Sequence, residues 1–319
     1  MKEKHRDCLW ISESDVASVL DMRGAIQAVE NGVAAEARGE ATAMLKTHAE
    51  WAGGTLHAIG AVFPKAGFAG TKTWAHTPGG AAPLLILFDS GGGTLCAVIE
   101  AFRLGSMRTA AASGVATRWL ADESADCFAI IGTGRQAFTQ VEAILAVRPI
   151  RQVRVFSPSA EHRSLFAERL RKAFDVEILI SSSVTEAVNG ASIITTVTRS
   201  KEPFLRSDMI ARGAHINAVG AILPGRAEVG PDVVSRCTQI VSDSPAQAQR
   251  LSDELIGQLG ANPKHWSRVQ SLGHLVEVKQ TRRASDDLTL LKSLGTGVLD
   301  LSVGIEVYRK VVNAGKDKV

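Results

Sequence analysis

The stretch Phe128-Ala129-Ile130-Ile131-Gly132-Thr133-Gly134-Arg135-Gln136-Ala137 joins an apolar run to a glycine-rich turn. The pattern Gly-x-Gly-x-x-Ala between a strand and a helix is typical of a dinucleotide-binding turn. Its first glycine permits a tight turn, its second lets the backbone approach a pyrophosphate, and its small third residue lets helix and strand pack closely. The motif alone is weak evidence, because an ordinary strand-to-helix loop can also be rich in glycine.

The residues around the turn favour the dinucleotide-binding interpretation. An amphipathic helix is predicted over 135–147, and a second strand, 153–156, follows at the expected distance. We therefore expect a diphosphate at the helix N-terminus. Its predicted contacts are Gly132, Gly134, Arg135 and Gln136.

The order of predicted elements indicates an α/β protein with two modules. From residue 128 onward strands and helices alternate, which predicts a doubly wound parallel sheet. The predicted strands are 128–131, 153–156, 176–180, 193–197, 215–219 and 239–241. The stretch 263–283 has little pattern and is predicted to be a surface loop.

The first hundred residues predict a smaller α+β module. Helices are expected to begin after Ser12 and Asp21, because both residues are good N-caps. Four β-like runs then predict an antiparallel or mixed sheet. These runs are 55–62, 68–77, 84–88 and 94–99. A helix over 104–120 bridges into the second module, and a last helix over 300–312 is expected to return to the first.

Composition excludes several classes of partner. The 319 residues include 36 cationic and 33 anionic side chains, and 45% are apolar, so a large core is available and no nucleic acid is expected as a partner. No run of eighteen apolar residues predicts a membrane span. The charged segment Met1–Asp7 has no apolar region behind it, which predicts no export signal and a cytoplasmic protein. Four scattered cysteines predict reduced thiols and no metal site.

Familiar hydrolytic and metal-binding motifs are absent from the sequence, which leaves a nicotinamide or flavin cofactor as the reagent. Gly70-Thr71-Lys72-Thr73 resembles a phosphate-binding loop only superficially, because the lysine does not directly follow the glycine. An NAD-selective fold normally carries an acid at the end of its second strand. Here Ser157, Ser159 and Arg163 follow that strand, so NADP is favoured over NAD. Alternatively, Ser159 only caps the next helix and Arg163 is solvated.

Three further blocks resemble the ornithine cyclodeaminase/mu-crystallin family. They are Leu104-Gly105-Ser106-Met107-Arg108-Thr109-Ala110-Ala111-Ala112-Ser113, His215-Ile216-Asn217-Ala218-Val219-Gly220-Ala221 with Pro224 and Glu228, and Leu291-Lys292-Ser293-Leu294-Gly295-Thr296-Gly297 with Asp300. The resemblance implies a homodimer whose subunits have a substrate-binding and dimerisation domain, 1–115 with 296–319, and a Rossmann domain, 116–295. It also implies redox chemistry at a carbon that bears nitrogen beside a carboxylate.

The resemblance assigns roles to individual residues. Lys72 and Arg108 match residues that bind the substrate carboxylate, and Lys72 also assists proton movement. Lys46 lies roughly where a third basic residue, usually arginine, is found. Cofactor contacts are implied at Thr109, Thr196, Thr198, Val219 and Lys292. For each cation the alternative is a surface salt bridge, and for Thr196 and Thr198 it is simple hydrogen bonding at a strand end.

One departure from the family pattern bears on the substrate. The family's cyclodeaminases and related alanine dehydrogenases carry an aspartate where this chain has Ile222, and 55–60 lacks the other acid expected of an ornithine enzyme. His57 is a candidate to replace part of that function, although a lone histidine on a strand is more often structural. A pocket that is apolar toward the substrate side chain and basic toward its carboxylate is therefore expected.

The leading hypothesis is NADPH-dependent reduction of a C=N bond next to a carboxylate, in a ketimine or a cyclic imino acid such as Δ1-pyrroline-2-carboxylate. The alternative enzymes are an NAD-dependent ornithine cyclodeaminase and an amino acid dehydrogenase. Two non-catalytic alternatives are an NADPH-dependent protein that binds a small ligand and a regulator that senses the cofactor.

Overall fold

The structure, a computed structural model, describes residues 8–316. The segment Met1–Asp7, on which the prediction of no export signal rests, lies outside the described residues. The strands are β1 (Leu9–Ile11), β2 (Thr42–Trp51), β3 (Gly54–Phe63), β4 (Phe68–Thr77), β5 (Gly80–Ala81), β6 (Leu84–Asp89), β7 (Leu95–Glu100), β8 (Cys127–Ile131), β9 (Gln152–Phe156), β10 (Glu177–Ile180), β11 (Ile193–Thr196), β12 (His215–Ala218), β13 (Cys237–Ser242), β14 (Val269–Ser271) and β15 (Leu288–Lys292).

The first two helices of the chain begin directly after the predicted N-cap residues. Ser12 and Asp21 are the N-caps of the first two helices, and each accepts a hydrogen bond from a backbone N–H in the first turn. The helices are α1 (Glu13–Val19), α2 (Met22–Ala37), α3 (Phe102–Leu120), α4 (Ala137–Leu145), α5 (Ala160–Ala173), α6 (Val184–Val188), α7 (Pro231–Arg236), α8 (Pro245–Leu251), α9 (Asp253–Leu259), α10 (Pro263–Trp266), α11 (Leu272–Glu277) and α12 (Gly297–Lys316).

The chain divides into two compact units, of which the first extends to Ala111 and resumes at Gly295. Its mixed sheet has the order β1-β7-β6-β4-β3-β2, with β5 paired to β4. Only β1 and β7 pair in parallel among the described strands of this sheet. Helix α12 packs against α2 and against β3, β4 and β6, so the C-terminal segment completes the core of the first unit.

The second unit, Ala112–Leu294, contains an eight-stranded sheet with the order β10-β9-β8-β11-β12-β15-β13-β14. Every pair within it is parallel, as the alternation of strands and helices predicts. Strand order reverses between β8 and β11. Ligands of doubly wound sheets bind outside the carboxyl ends of the strands at such a reversal.

Three parts of the fold differ from the sequence-based expectation. The surface loop predicted over 263–283 is wrong, because this stretch contains α10, β14 and α11, with Val269 and Leu275 buried. Strand β15 was not predicted although it lies inside the sheet, since a strand buried on both faces lacks polar alternation. Strand β2 was also missed, because most of its residues are exposed and its polar and apolar residues do not alternate regularly. No helix of the described range 8–316 is long and apolar enough to cross a membrane.

Gly297 allows α12 to begin directly against β3. A Cβ at this position would collide with the backbone of Gly60, including its carbonyl oxygen. We expect Gly297→Ala to lower the free energy of unfolding by about 1–3 kcal/mol, the usual cost of overpacking. Gly257→Ala is the matched control in α9, where an added Cβ meets nothing within 4 Å and should stabilise by about 0.4–1 kcal/mol. If urea denaturation gives the same change in the free energy of unfolding for both variants, Gly297 does not pack closely against Gly60.

Candidate functional site

The glycine turn after β8 has the geometry of a phosphate cradle. Gly132 has φ +112°, and a Cβ there would lie 2.7 Å from the carbonyl oxygen of Val197, so only glycine fits. Gly134 is exposed, and an added Cβ would meet nothing within 4 Å, which leaves room for a ligand at its α-carbon. Helix α4 begins at Ala137, two residues later than predicted, and Gln136 caps it without a side-chain bond. The first-turn N–H groups therefore suit a diphosphate.

The end of β9 carries two hydroxyls and a cation. The hydroxyl of Thr133 in the glycine turn lies 3.1 Å from that of buried Ser157. The guanidinium of Arg163 donates to the carbonyl oxygen of Ser157 at 2.6 Å and lies 5.3 Å from the centroid of the Phe156 ring. Ser159 caps α5 by accepting the N–H of His162 at 3.2 Å. Capping is thus one role of Ser159, and Arg163 lies beside the strand end.

A cavity of about 360 Å³ adjoins the glycine turn and was not predicted from the sequence. It combines apolar side chains with a histidine and an arginine, a mixture that suits a heteroaromatic ring with polar substituents. Its lining residues are Thr133, Gly134, His162, Leu165, Phe166 and Arg169.

The carboxylate of Glu228 joins the ends of β11 and β12. It accepts the hydroxyl of Thr196 at 2.9 Å and the backbone N–H of Thr198 at 2.5 Å. It also accepts the N–H groups of Gly220 and Ala221, at 2.8 and 3.2 Å. Glu228 is fully buried, and this desolvation raises the pKa of its carboxyl. The side chain of Thr196 is therefore used within the protein, and the hydroxyl of Thr198 accepts the N–H of Ser200.

Lys292 at the end of β15 is buried and does not face solvent. Its ammonium lies 2.5 Å from a carboxylate oxygen of Glu254, as an ion pair whose angles are not those of a hydrogen bond. The other oxygen of Glu254 accepts the N–H groups of Glu228 and Val229, at 2.7 and 3.0 Å. Val219, at the end of β12, is buried. Lys292 therefore supports the same loop that Glu228 organises.

Two of the predicted cations meet in the first unit. Lys72 on β4 and Arg108 on α3 bind the same carboxylate oxygen of Asp300, in the first turn of α12. The Arg108 Nε atom lies 3.1 Å from that oxygen, and Lys72 Nζ is also hydrogen-bonded to it. The side chain of Asp300 is fully buried, that of Lys72 is 6% exposed and that of Arg108 is 15% exposed. Thr109, the neighbour of Arg108, donates its hydroxyl to Gly105 within α3.

The burial of this cluster lowers the pKa of Lys72 to about 8. Desolvation is the largest cause, the charge of Asp300 acts in the opposite direction, and the charge of Arg108 lowers the pKa further. The pKa of Lys46 is also lowered, first by burial and then by Arg108. A lysine with a pKa near 8 can both donate and accept a proton close to neutral pH.

An aromatic pair extends the cluster along the sheet. The Lys72 and Lys46 ammonium groups lie 5.3 and 5.9 Å from the centroid of the Trp74 ring. His57 stacks on Trp74 with a centroid distance of 4.8 Å. Burial, followed by the charge of Lys46, lowers the pKa of His57, which favours its neutral imidazole. The region beyond Lys72 is therefore aromatic and cationic.

Asp300 and Trp74 were not predicted as site residues. Asp300 entered only as part of a family motif, although an acid within the apolar helical run that includes Val298, Leu299 and Leu301 signals a buried charge in need of a cation. Trp74 gives no such signal, because its role depends on the pairing of β4 with β3.

The doubly wound parallel sheet with its glycine turn and the buried cationic cluster match the features of a nicotinamide-dependent oxidoreductase. The family model for the ornithine cyclodeaminase/mu-crystallin family matches residues 8–315, and the chain belongs to this family.

Individual relatives agree with this assignment. A Δ1-pyrroline-2-carboxylate reductase of Bacillus cereus is 32% identical over 234 residues, which are 73% of this chain and 72% of the relative. The structure of Thermococcus litoralis Δ1-pyrroline-2-carboxylate reductase in complex with NADH and L-proline has a TM-score of 0.89 and 28% identity, and covers 96% of this chain and 98% of its own. An archaeal alanine dehydrogenase dimer with bound NAD has a TM-score of 0.88 and 27% identity, with 97% of each chain covered.

The lowered pKa of Lys72 predicts a specific pH dependence of stability. Below about pH 8 both folded and unfolded chains carry the proton, and the cost of burying the charge is fully present. As the pH rises toward 10.5, the folded chain loses this proton first, so the wild type should gain stability relative to Lys72→Met. The gain should be at most about 3 kcal/mol. Urea denaturation of the wild type and of Lys72→Met from pH 7.5 to 10.5 measures this gain. If the difference between their free energies of unfolding does not change with pH, the pKa of Lys72 is not lowered in the folded chain.

Proposed function

We propose that this protein reduces a C=N bond next to a carboxylate, in a ketimine or a cyclic imino acid, with a reduced nicotinamide cofactor. The observation that carries the proposal is the cluster of Lys46, Lys72 and Arg108 around the single carboxylate of Asp300. Three cations and one anion leave a net positive charge, which favours an anionic substrate.

Arg108 and Lys72 have different roles in this proposal. Asp300 engages the Nε atom of Arg108, and the terminal nitrogens of the guanidinium fork remain suited to the two oxygens of a substrate carboxylate. Lys72 also binds the substrate carboxylate. Its ammonium group donates a proton to the substrate nitrogen, directly or through water, as the imine is reduced to an amine. Lys46 adds positive charge near Trp74 without the bidentate geometry of an arginine.

The residues of the second unit fit a nicotinamide cofactor, which when bound in its reduced form would supply the hydride for the imine carbon. Gly132, Gly134, Arg135 and Gln136 would hold the diphosphate at the start of α4, and the neighbouring cavity would take the adenosine. Thr109, Thr196, Thr198, Val219 and Lys292 are proposed near the ribose and nicotinamide, with Thr196 and Lys292 acting through Glu228 and Glu254.

NADP is the favoured cofactor in this proposal, because Ser157, Ser159 and Arg163 follow the strand where the adenosine ribose would bind, and no acid stands at the strand end. We also propose a homodimer in the cytoplasm. The sheet face opposite buried Ile59 and Phe63 exposes large apolar side chains that a second subunit would cover. They are Met44, Trp51, Leu56 and Val62.

Assays with both coenzymes test the reaction class. We expect NADPH oxidation with Δ1-pyrroline-2-carboxylate or Δ1-piperideine-2-carboxylate, followed by absorbance of the reduced nicotinamide. Release of proline and ammonia from ornithine with NAD would instead identify a cyclodeaminase. Tight NADPH binding without turnover of any imino acid would favour a non-catalytic binding protein or a cofactor sensor.

The same assay separates the role of Arg108 from a general effect of mutation. Arg108→Lys should lower kcat/KM about 10- to 100-fold, because the fork geometry is lost while the charge stays. Arg103→Lys, an exposed position on the same helix, should leave kcat/KM unchanged. If both variants retain full activity, Arg108 does not bind the substrate.

Coenzyme preference tests the role of Arg163. Arg163→Ala should raise the KM for NADPH about tenfold and leave the KM for NADH nearly unchanged, because only NADPH carries a 2′-phosphate. Arg171→Ala, on the same helix but bonded to the carbonyl oxygen of Ile178, is the control. A parallel rise in both KM values after Arg163→Ala would show that the arginine supports the strand end and does not select the phosphate.

A further inference from the structure

The side chain of Glu228 bonds the backbone after both β11 and β12. One of its oxygens accepts the N–H of Thr198, and the other accepts the N–H groups of Gly220 and Ala221 with the hydroxyl of Thr196. All four partners donate hydrogen bonds, so the side chain at position 228 must accept hydrogen bonds at both of its terminal atoms. An ionised carboxylate does so, whereas the amide of a glutamine would place its NH₂ group against a backbone N–H, and two donors cannot bond to each other.

Close packing makes the two loops depend on each other. A Cβ on Gly220 would collide with the backbone of Thr198 and with a carboxylate oxygen of Glu228. On the other side, a Cβ on Gly132 would lie 3.2 Å from the Thr198 side chain. The backbone at Thr198 is therefore held between the phosphate-binding turn and the loop after β12, and Glu228 sets its position from below the surface.

The topology identifies which half of a dinucleotide would lie at these loops. Strands β8, β9 and β10 form the half of the sheet that carries the phosphate turn and the ribose position after β9. Strands β11, β12 and β15 form the half on the other side of the strand reversal. A dinucleotide lies across the two halves, so the loops after β11 and β12 face its second nucleotide.

We propose that Glu228 is a positioning residue that holds these two loops in the geometry that receives the nicotinamide half of the cofactor. This inference rests on the proposed cofactor binding. Glu254 and Lys292 support the arrangement, because Glu254 accepts the N–H of Glu228 and pairs with the Lys292 ammonium. Glu228 itself is fully buried and would touch neither substrate nor cofactor.

Binding of the whole cofactor and of its adenosine fragment separates this role from general stability. The dissociation constant of NADPH is measured by its fluorescence, and that of 2′,5′-ADP by calorimetry. Glu228→Gln should raise the constant for NADPH at least about tenfold and change that for 2′,5′-ADP by less than about twofold. Gly220→Ala should give the same pattern, because it displaces the same loops without removing a charge. If the wild type prefers NADH, then NADH and 5′-AMP replace the two ligands.

Asp286→Asn is the matched control. Asp286 is also buried and accepts the N–H of Arg283 and the amide of Gln239, but it precedes β15 and thus lies at the amino edge of the same sheet. Its substitution should affect the two ligands equally or not at all. Equal losses for both ligands in Glu228→Gln, unchanged NADPH binding, or unfolding of both test variants in thermal denaturation would overturn the inference. Failure of the wild type to bind either coenzyme would instead overturn the proposed function.

Discussion

The buried carboxylate of Asp300 is the interaction on which the cationic cluster of the first unit depends. A carboxylate without solvent exposure is stable only with strong partners, and Lys72 and Arg108 supply them. These cations in turn could not be buried together without an anion between them. The three residues come from β4, α3 and α12, so the C-terminal helix must return to the first unit before the cluster can exist.

This ion cluster also sets the reactivity of Lys72. Desolvation and the charge of Arg108 lower its pKa, while Asp300 limits the decrease, and the result near 8 makes both protonation states accessible under ordinary conditions. An exposed lysine would stay charged, and a buried lysine without Asp300 would have a still lower pKa. The same contacts that organise the fold therefore adjust a group for proton movement.

The sequence predicted local features better than distant ones. The Gly132 turn was recognised because its conformation and its ligand depend on neighbouring residues, and the caps at Ser12 and Asp21 are equally local. The importance of Lys72 and Arg108 came from family resemblance and not from their own surroundings. Lys72 precedes Asp300 by 228 residues and Arg108 precedes it by 192 residues. A periodic pattern of apolar residues cannot predict contacts over such separations. The roles of Trp74 and β15 likewise depend on strand pairing.

A buried carboxylate organises each unit, Asp300 in the first and Glu228 in the second. Their hydrogen-bond partners differ, and this difference determines which nearby residues can be substituted. Asp300 binds two cations that face the substrate in the proposed reaction, so few substitutions there would preserve the chemistry. Glu228 binds mainly backbone N–H groups, which are present whatever the side chains are. Ile222 follows directly after this fixed backbone and is 39% exposed. Its side chain can therefore vary without disturbing the loop. A family member with aspartate at this position can acquire different chemistry on an unchanged scaffold.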